Sequence, residues 1–189
     1  MRRRGVLSSS LRAGCWLLCL GATITGHAQG ERVADEYQVK AAYLYKFLGF
    51  VEWPQQAFET TQSPFVIGVI GADALADELA QVVANRQASG RPAIVRKLRP
   101  GESTTGLHVL FIGREAAHRA SALLAAAKDT LLLTVTETEE AFAAGSAINF
   151  VVVDKKVRFD VALHGAETGA PKISSRLLGV ARRVVGGNS

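Results

Sequence analysis

The chain has few side chains placed to do chemistry. Besides His27 near the N-terminus, its histidines are His108, His118 and His164. They lie far apart, and none stands in a pair at the spacing that puts two ligands on one metal ion. Glu137, Glu139 and Glu140 look like paired carboxylates, but they crowd a predicted helix start, where the macrodipole alone accounts for negative charge. A serine nucleophile on an elbow needs Gly-x-Ser-x-Gly between a strand and the following helix. Gly145-Ser146-Ala147 lies between a helix and a strand, the reverse order, and Ser174-Ser175 opens a helix, where serine serves as an N-cap. For a dinucleotide, Gly68-Val69-Ile70-Gly71 has the wrong spacing, and Asp73 puts a negative charge where a phosphate would sit. No Gly-x-x-x-x-Gly-Lys-Ser/Thr occurs. Gly113-Arg114 after a strand offers an anion site at a helix N-terminus, weakened by Glu115. These residues supply no catalytic set, no metal set and no cofactor motif, so the sequence points to binding rather than catalysis.

The N-terminus bounds where such binding takes place. Arg2, Arg3, Arg4 and Arg12 precede an apolar stretch from Ala13 to about Ile24. That stretch is too short for a spanning helix, which needs about 20 residues. Gly26-His27-Ala28 then offers small residues at the two positions a signal peptidase reads. Residues 1–28 read as a cleavable signal peptide and residues 29–189 as one exported domain, placed in the periplasm. Cys15 and Cys19 have the wrong surroundings for a lipid anchor. Four of the 22 Lys/Arg and none of the 17 Asp/Glu lie in the leader, leaving 18 against 17. The high pI belongs to the leader, and a basic surface for nucleic acid has no support. Both cysteines leave with the leader, so the processed chain has no disulfide and no thiol chemistry.

The processed segments alternate in type. A helix is predicted over Asp35–Trp53, stopped by Pro54. Phe65–Ile70, a short apolar run rich in β-branched residues, is predicted as a buried strand, and further strands are predicted at Ile94–Leu98, His108–Ile112 and Leu131–Val135. Helices fall between them: Asp73, as N-cap, to Arg86; Glu115–Ala127; and a short one with Thr136 and Glu139 as capping box, stopped by Gly145. Ile148–Val153 and Val157–Leu163 flank Asp154-Lys155-Lys156 and read as a hairpin. A last helix starts near Ser174 with Ile173, Leu177, Val180 or Ala181, and Val184 as its apolar stripe. The fold expected is α/β: a three-layer sandwich with a mainly parallel Rossmann-like sheet, helices on both faces and an antiparallel C-terminal hairpin.

The first helix is apolar most of the way round. Val39, Ala42, Tyr43, Phe47 and Phe50 share one face; Ala41, Leu44, Leu48 and Val51 share another. Such a helix needs cover on most sides, from its own domain or from a partner.

Three stretches together carry a resemblance: Val39 to Pro54, with its aromatic run ending in Glu52-Trp53-Pro54; His108 to Ile112; and Thr134-Val135-Thr136 through Ile148-Asn149-Phe150 and Arg158-Phe159 to Lys172-Ile173-Ser174-Ser175-Arg176-Leu177-Leu178. In order and spacing they resemble the YfiR family of periplasmic proteins, over nearly all of the processed chain. The resemblance implies a soluble repressor. It would bind the periplasmic part of an inner-membrane diguanylate cyclase, keeping cyclic di-GMP and biofilm formation low, and an outer-membrane lipoprotein can sequester such repressors. Dimers are common in the family. Many members carry cysteines whose disulfides matter, and here this chain departs. The expected partner-binding residues are Tyr43, Tyr45, Lys46, Phe47, Phe50 and Trp53, with Arg158 and Arg176 as charged contacts. Two rival readings stand beside this one. One is a small-molecule module with its ligand at the strand ends near Gly71-Asp73 and Gly113-Arg114. The other is an enzyme built around His108 or His164 beside a carboxylate.

Overall fold

The structure, a computed structural model, describes residues 25–128, 130–163 and 171–186. Residues 1–24, which hold most of the signal peptide expected over residues 1–28, and His164 lie outside them. The elements run α1 (Thr25–Phe50), β1 (Val51–Glu52), β2 (Phe65–Ile70), α2 (Asp73–Val83), β3 (Gln87–Ala88), β4 (Arg91–Lys97), β5 (Val109–Ile112), α3 (Ala120–Ala127), β6 (Leu133–Thr136), α4 (Glu139–Ala143), β7 (Ile148–Val153), β8 (Lys156–Ala162), β9 (Lys172–Ile173), α5 (Ser175–Leu178) and β10 (Arg183–Val185). Short 3-10 helices cover Gln55–Ala57 and Arg114–Arg119. No described helix is long and apolar enough to cross a membrane.

Eight strands form one sheet in the order β10-β8-β7-β6-β5-β2-β4-β3, and β1 pairs with β9 apart from it. Neighbours run parallel except at β7–β8 and β3–β4. The central strands are buried on both faces, and β2 and β5 read accordingly as near-continuous apolar runs. In β5, Val109 and Phe111 face one core while Leu110 and Ile112 face the other. α1 and α2 cover the first core, which holds Phe47, Phe65, Phe150 and Phe159. The 3-10 turn after β5, α3 and Ala141 of α4 cover the second. The three-layer α/β sandwich expected from the sequence is the fold observed.

Several boundaries differ, each for a local reason. α1 ends at Phe50 rather than Trp53, because Val51 and Glu52 find a strand partner in Ile173 and Lys172. The Trp53 indole N–H then donates to the Leu48 carbonyl at 3.2 Å, satisfying one acceptor left over at the helix end. Asp73 is the first residue of α2, not its cap. Ala72 holds the cap position without a side-chain bond, and the helix stops at Val83. The helix expected over Glu115–Ala127 is a 3-10 segment followed by α3. α4 is capped by Thr138, whose hydroxyl accepts from Ala141 N–H, while Thr136 is buried in β6 and donates to Asn149 Oδ1 at 2.9 Å. Gly145, at φ +111°, does end that helix turn. The last helix is one turn, capped by Ser174. Beyond it the Arg182 N–H donates to the Phe159 carbonyl at 2.8 Å, and the chain joins the sheet as β10 instead of continuing the helix.

Candidate functional site

α1 sorts its side chains by helical position. Ala41, Leu44, Phe47 and Leu48 are fully buried against the sheet and α2. Val39, Tyr43, Lys46 and Phe50, spaced i, i+4, i+7 and i+11, form one stripe along the helix. Val39 is 43% and Phe50 37% exposed, Lys46 is exposed and Tyr43 half-buried. The Tyr43 ring stands edge-on to Phe159 at 5.5 Å and close to Phe150 at 6.0 Å, so one side of it is core. Of the other expected contact residues, Phe47 presents no surface, stacked on Phe150 at 5.8 Å. Its role in any contact is to support the helix from beneath. Tyr45 lies toward β3, its hydroxyl donating to the Gln87 carbonyl at 2.8 Å. Trp53 packs edge-on to Phe65 and His108. α5, which carries exposed Arg176, starts against the end of α1, where Ser174 N–H donates to the Phe50 carbonyl at 3.0 Å. Arg158 alternates with buried Val157 and Phe159 on β8 and so faces away from α1, on the reverse side of the sheet. The structure thus keeps Tyr43, Lys46 and Phe50 on one surface with the element bearing Arg176, and separates Tyr45, Trp53 and Arg158 from it.

Beneath the N-terminal part of that stripe lies a charge cluster that the sequence did not disclose. Lys40 has no exposed surface, and its Nζ bonds the carboxylates of both Glu36 and Glu137. The Arg114 guanidinium reaches Glu36 at 2.7 Å, and the Arg114 backbone N–H donates to Glu137 Oε1 at 2.9 Å. The rings of Tyr37 and Phe150 lie 5.5 and 5.9 Å from Lys40 Nζ. Burial pushes the Glu36 carboxyl up, but Lys40 and Arg114 together outweigh it and hold the group below its usual value. Burial, then the Glu137 carboxylate, pushes the Tyr37 phenol up. The cluster fastens α1 to the carboxyl ends of β5 and β6. Its signal in the sequence was a lysine within a helix that is otherwise apolar on most sides.

The crevice at those strand ends is filled. A Cβ on Gly113 would stand 2.2 Å from the Gly71 carbonyl oxygen, so two backbones touch where an α/β fold often seats a ligand. The backbone N–H that made Gly113-Arg114 an anion candidate is taken by Glu137. Beside this crevice an open cleft of about 360 Å³ remains, lined in part by Asp73, Arg99, Glu115, His118 and Arg119. His108 is satisfied on both nitrogens: Val66 N–H donates to Nδ1 at 3.1 Å, and Nε2–H donates to the Ala57 carbonyl at 2.9 Å. Phe58 stacks on its ring at 4.5 Å, and no carboxylate among the described residues bonds it. Among the described residues no group of His, Cys, Asp and Glu is placed to hold a metal ion.

A surface stripe on a pinned helix, with no reactive group in it, suits recognition of another macromolecule. Comparison with curated proteins returns no match. A sequence model described as YfiR/HmsC-like matches residues 37–182, from the middle of α1 to the start of β10. That span includes the α1 stripe, Arg176, and the Lys40, Arg114 and Glu137 members of the buried cluster. Since it takes in most of the chain, the chain belongs to the YfiR/HmsC-like family.

Proposed function

We propose that residues 29–189, freed of their leader in the periplasm, bind the periplasmic part of an inner-membrane diguanylate cyclase and hold it inactive. Cyclic di-GMP, and biofilm formation with it, then stay low. The observation that carries this reading is the family match over residues 37–182. The α1 stripe of Val39, Tyr43, Lys46 and Phe50, with Arg176 at its end, is the proposed contact face. The mechanism is a shift of population: the domain binds the inactive arrangement of the cyclase better and stabilises it by that difference in affinity. A hundredfold preference corresponds to about 2.8 kcal/mol, within reach of a few well-packed side chains. An outer-membrane lipoprotein that binds the same domain would lift the repression by competition. Residues 29–189 contain no cysteine, so release does not run through thiols of this chain. The domain acts by binding and is not an enzyme.

Cross-linked affinity capture from native membranes tests the reading. The expected result is recovery of an inner-membrane diguanylate cyclase, reduced at least about tenfold by Lys46→Glu with Phe50→Ser while the unfolding midpoint holds. Clean capture without any cyclase removes the repressor reading.

One observation favours a second reading. The cleft beside β2 brings together five titratable side chains that make no ion pair with one another among the described residues. A small molecule bearing both charges fits such a lining, and a rise in unfolding temperature with such compounds would reveal it.

A further inference from the structure

The β7–β8 hairpin overruns its neighbours. β6 last pairs with β7 at Thr136–Asn149, and β10 pairs with β8 only at residues 160–162. Beyond those points the two strands have only each other, out to Val153–Lys156. α1 covers Phe150 and Phe159 through Tyr43 and Phe47, but among the described residues nothing buries Val152, Val153 or the turn. Four residues of β7 past Asn149 reach about 13 Å. The turn is a fixed one: Asp154 and Lys155 sit at φ +50° and +60°, the pair of positive values of a two-residue hairpin turn.

This finger has an unusual surface. Val152 is 49% and Val153 39% exposed, on opposite faces of the strand. Lys155, Lys156 and Arg158 beside them are exposed and make no ion pair among the described residues. Asp154 is the acid at the turn. Charge along the chain divides at the same place. Residues 154–189 hold seven Lys/Arg against three Asp/Glu, while residues 29–153 hold eleven against fourteen. The positive excess of the processed chain therefore lies in the segment that begins at this turn.

We propose that the hairpin tip docks on an anionic phospholipid surface, with Val152 and Val153 entering the headgroup–acyl boundary and Lys155, Lys156 and Arg158 meeting the phosphates. Lysine stems are long enough to lie along apolar surface while the ammonium stays at the headgroups. Basic side chains are drawn to an anionic bilayer within a Debye length, so the attraction fades with salt. The composition favours lipid over protein. Protein contacts concentrate their energy on Trp, Tyr and Arg in desolvated pockets, whereas this tip offers two small aliphatic side chains and two lysines, with Arg158 its single residue of those three types. The inference stands apart from the cyclase reading. If both hold, the tip confines the domain to the plane in which its partner is embedded.

Co-sedimentation with vesicles tests it, using the protein purified as the cell processes it. Phosphatidylglycerol–phosphatidylethanolamine vesicles are compared with phosphatidylcholine alone. Binding to the anionic vesicles only is expected, falling about tenfold from low to high salt. A drop of about tenfold is expected in Lys155→Glu with Lys156→Glu and again, separately, in Val152→Ser with Val153→Ser. All four positions are exposed, and an unchanged unfolding midpoint checks that each variant is folded. Absence of vesicle binding, equal binding to both compositions, or anionic binding that survives both double variants overturns the proposal. Loss of cyclase capture by tip variants without any vesicle binding also overturns it and gives the tip to a protein partner.

Discussion

Lys40 has no accessible surface, and two carboxylates face its ammonium. Removing one member of a buried ionic group leaves the others uncompensated in a poor solvent, which costs about 3–5 kcal/mol, whereas replacing a pair by apolar or neutral groups is often mild. Lys40→Met is therefore expected to lower stability by about 3–5 kcal/mol in denaturant unfolding, and Lys40→Met with Glu137→Gln to recover most of the loss. A near-neutral single variant would mean that the cluster does not fasten α1. His108 titrates in the opposite sense to a paired histidine. Burial lowers its pKa below the usual 6.5, so the folded state binds the proton less readily than the unfolded chain. The stability it brings is complete above about pH 6.5 and is lost as the pH falls below that value. Protonation would also turn Nδ1 against the Val66 N–H. Glu36, held below 4.5, adds a separate loss at more acidic pH. Urea unfolding at stepped pH should show both losses, and His108→Gln should abolish only the upper one. An upper step that persists in that variant would belong to another group. Little of this was legible in the sequence. His108 stands at the start of a predicted strand, but Glu137 stands 97 residues from Lys40, and no local pattern announces such a pair.

β10 is a short edge strand whose place in the sheet depends on one carboxylate. Asp160 is fully buried in β8, gripped by Arg182 and by Arg183, the latter at 2.8 Å. Arg183 pairs in register with Asp160 itself. Asp160→Asn withdraws the counter-charge that both guanidinium groups share, leaving Arg183 only Glu139 at 3.4 Å, and β10 should loosen before the rest of the sheet. Hydrogen exchange should speed up at the Leu163 amide, which donates to the Val185 carbonyl, with β5 and β6 unaffected. Equal acceleration throughout the sheet would show that Asp160 supports the whole fold instead. The same contact explains why the last helix was read too long. Val180, Ala181 and Val184 do fit a helical stripe, but a buried acid one strand away gives Arg182 and Arg183 better partners than a continued helix would. The central strands β2 and β5 were legible because burial on both faces favours near-continuous apolar runs. β1 and β9, two residues each, were not, since strands that short exist only through their partner. α1 was recognised as over-apolar. Which of its aromatic residues reach the surface required the stripe geometry: Phe47 and Phe50 differ by one turn, and one is core while the other is 37% exposed.

At the scale of the whole molecule, the stability of residues 29–189 rests on two apolar cores and buried ionic groups, with no disulfide, because those residues contain no cysteine. Protein recovered from the periplasm is expected to unfold at the same temperature with and without reductant. A reductant-dependent midpoint would mean that the leader cysteines are retained. The α/β sandwich itself was legible from the alternation of strands and helices. The use made of its strand ends was not, because that depends on a carboxylate and an amide brought together from different loops. Glu137 accepts the Arg114 amide at the position where a related architecture would receive a phosphate, and it is at the same time the counter-ion of Lys40. A lineage that set out to turn this scaffold into a nucleotide receptor would meet an obstacle at its first step. Vacating the seat by mutating Glu137 strands a buried cation and loosens the helix that carries the proposed contact stripe. At least two simultaneous changes are needed, so no single substitution opens that evolutionary route.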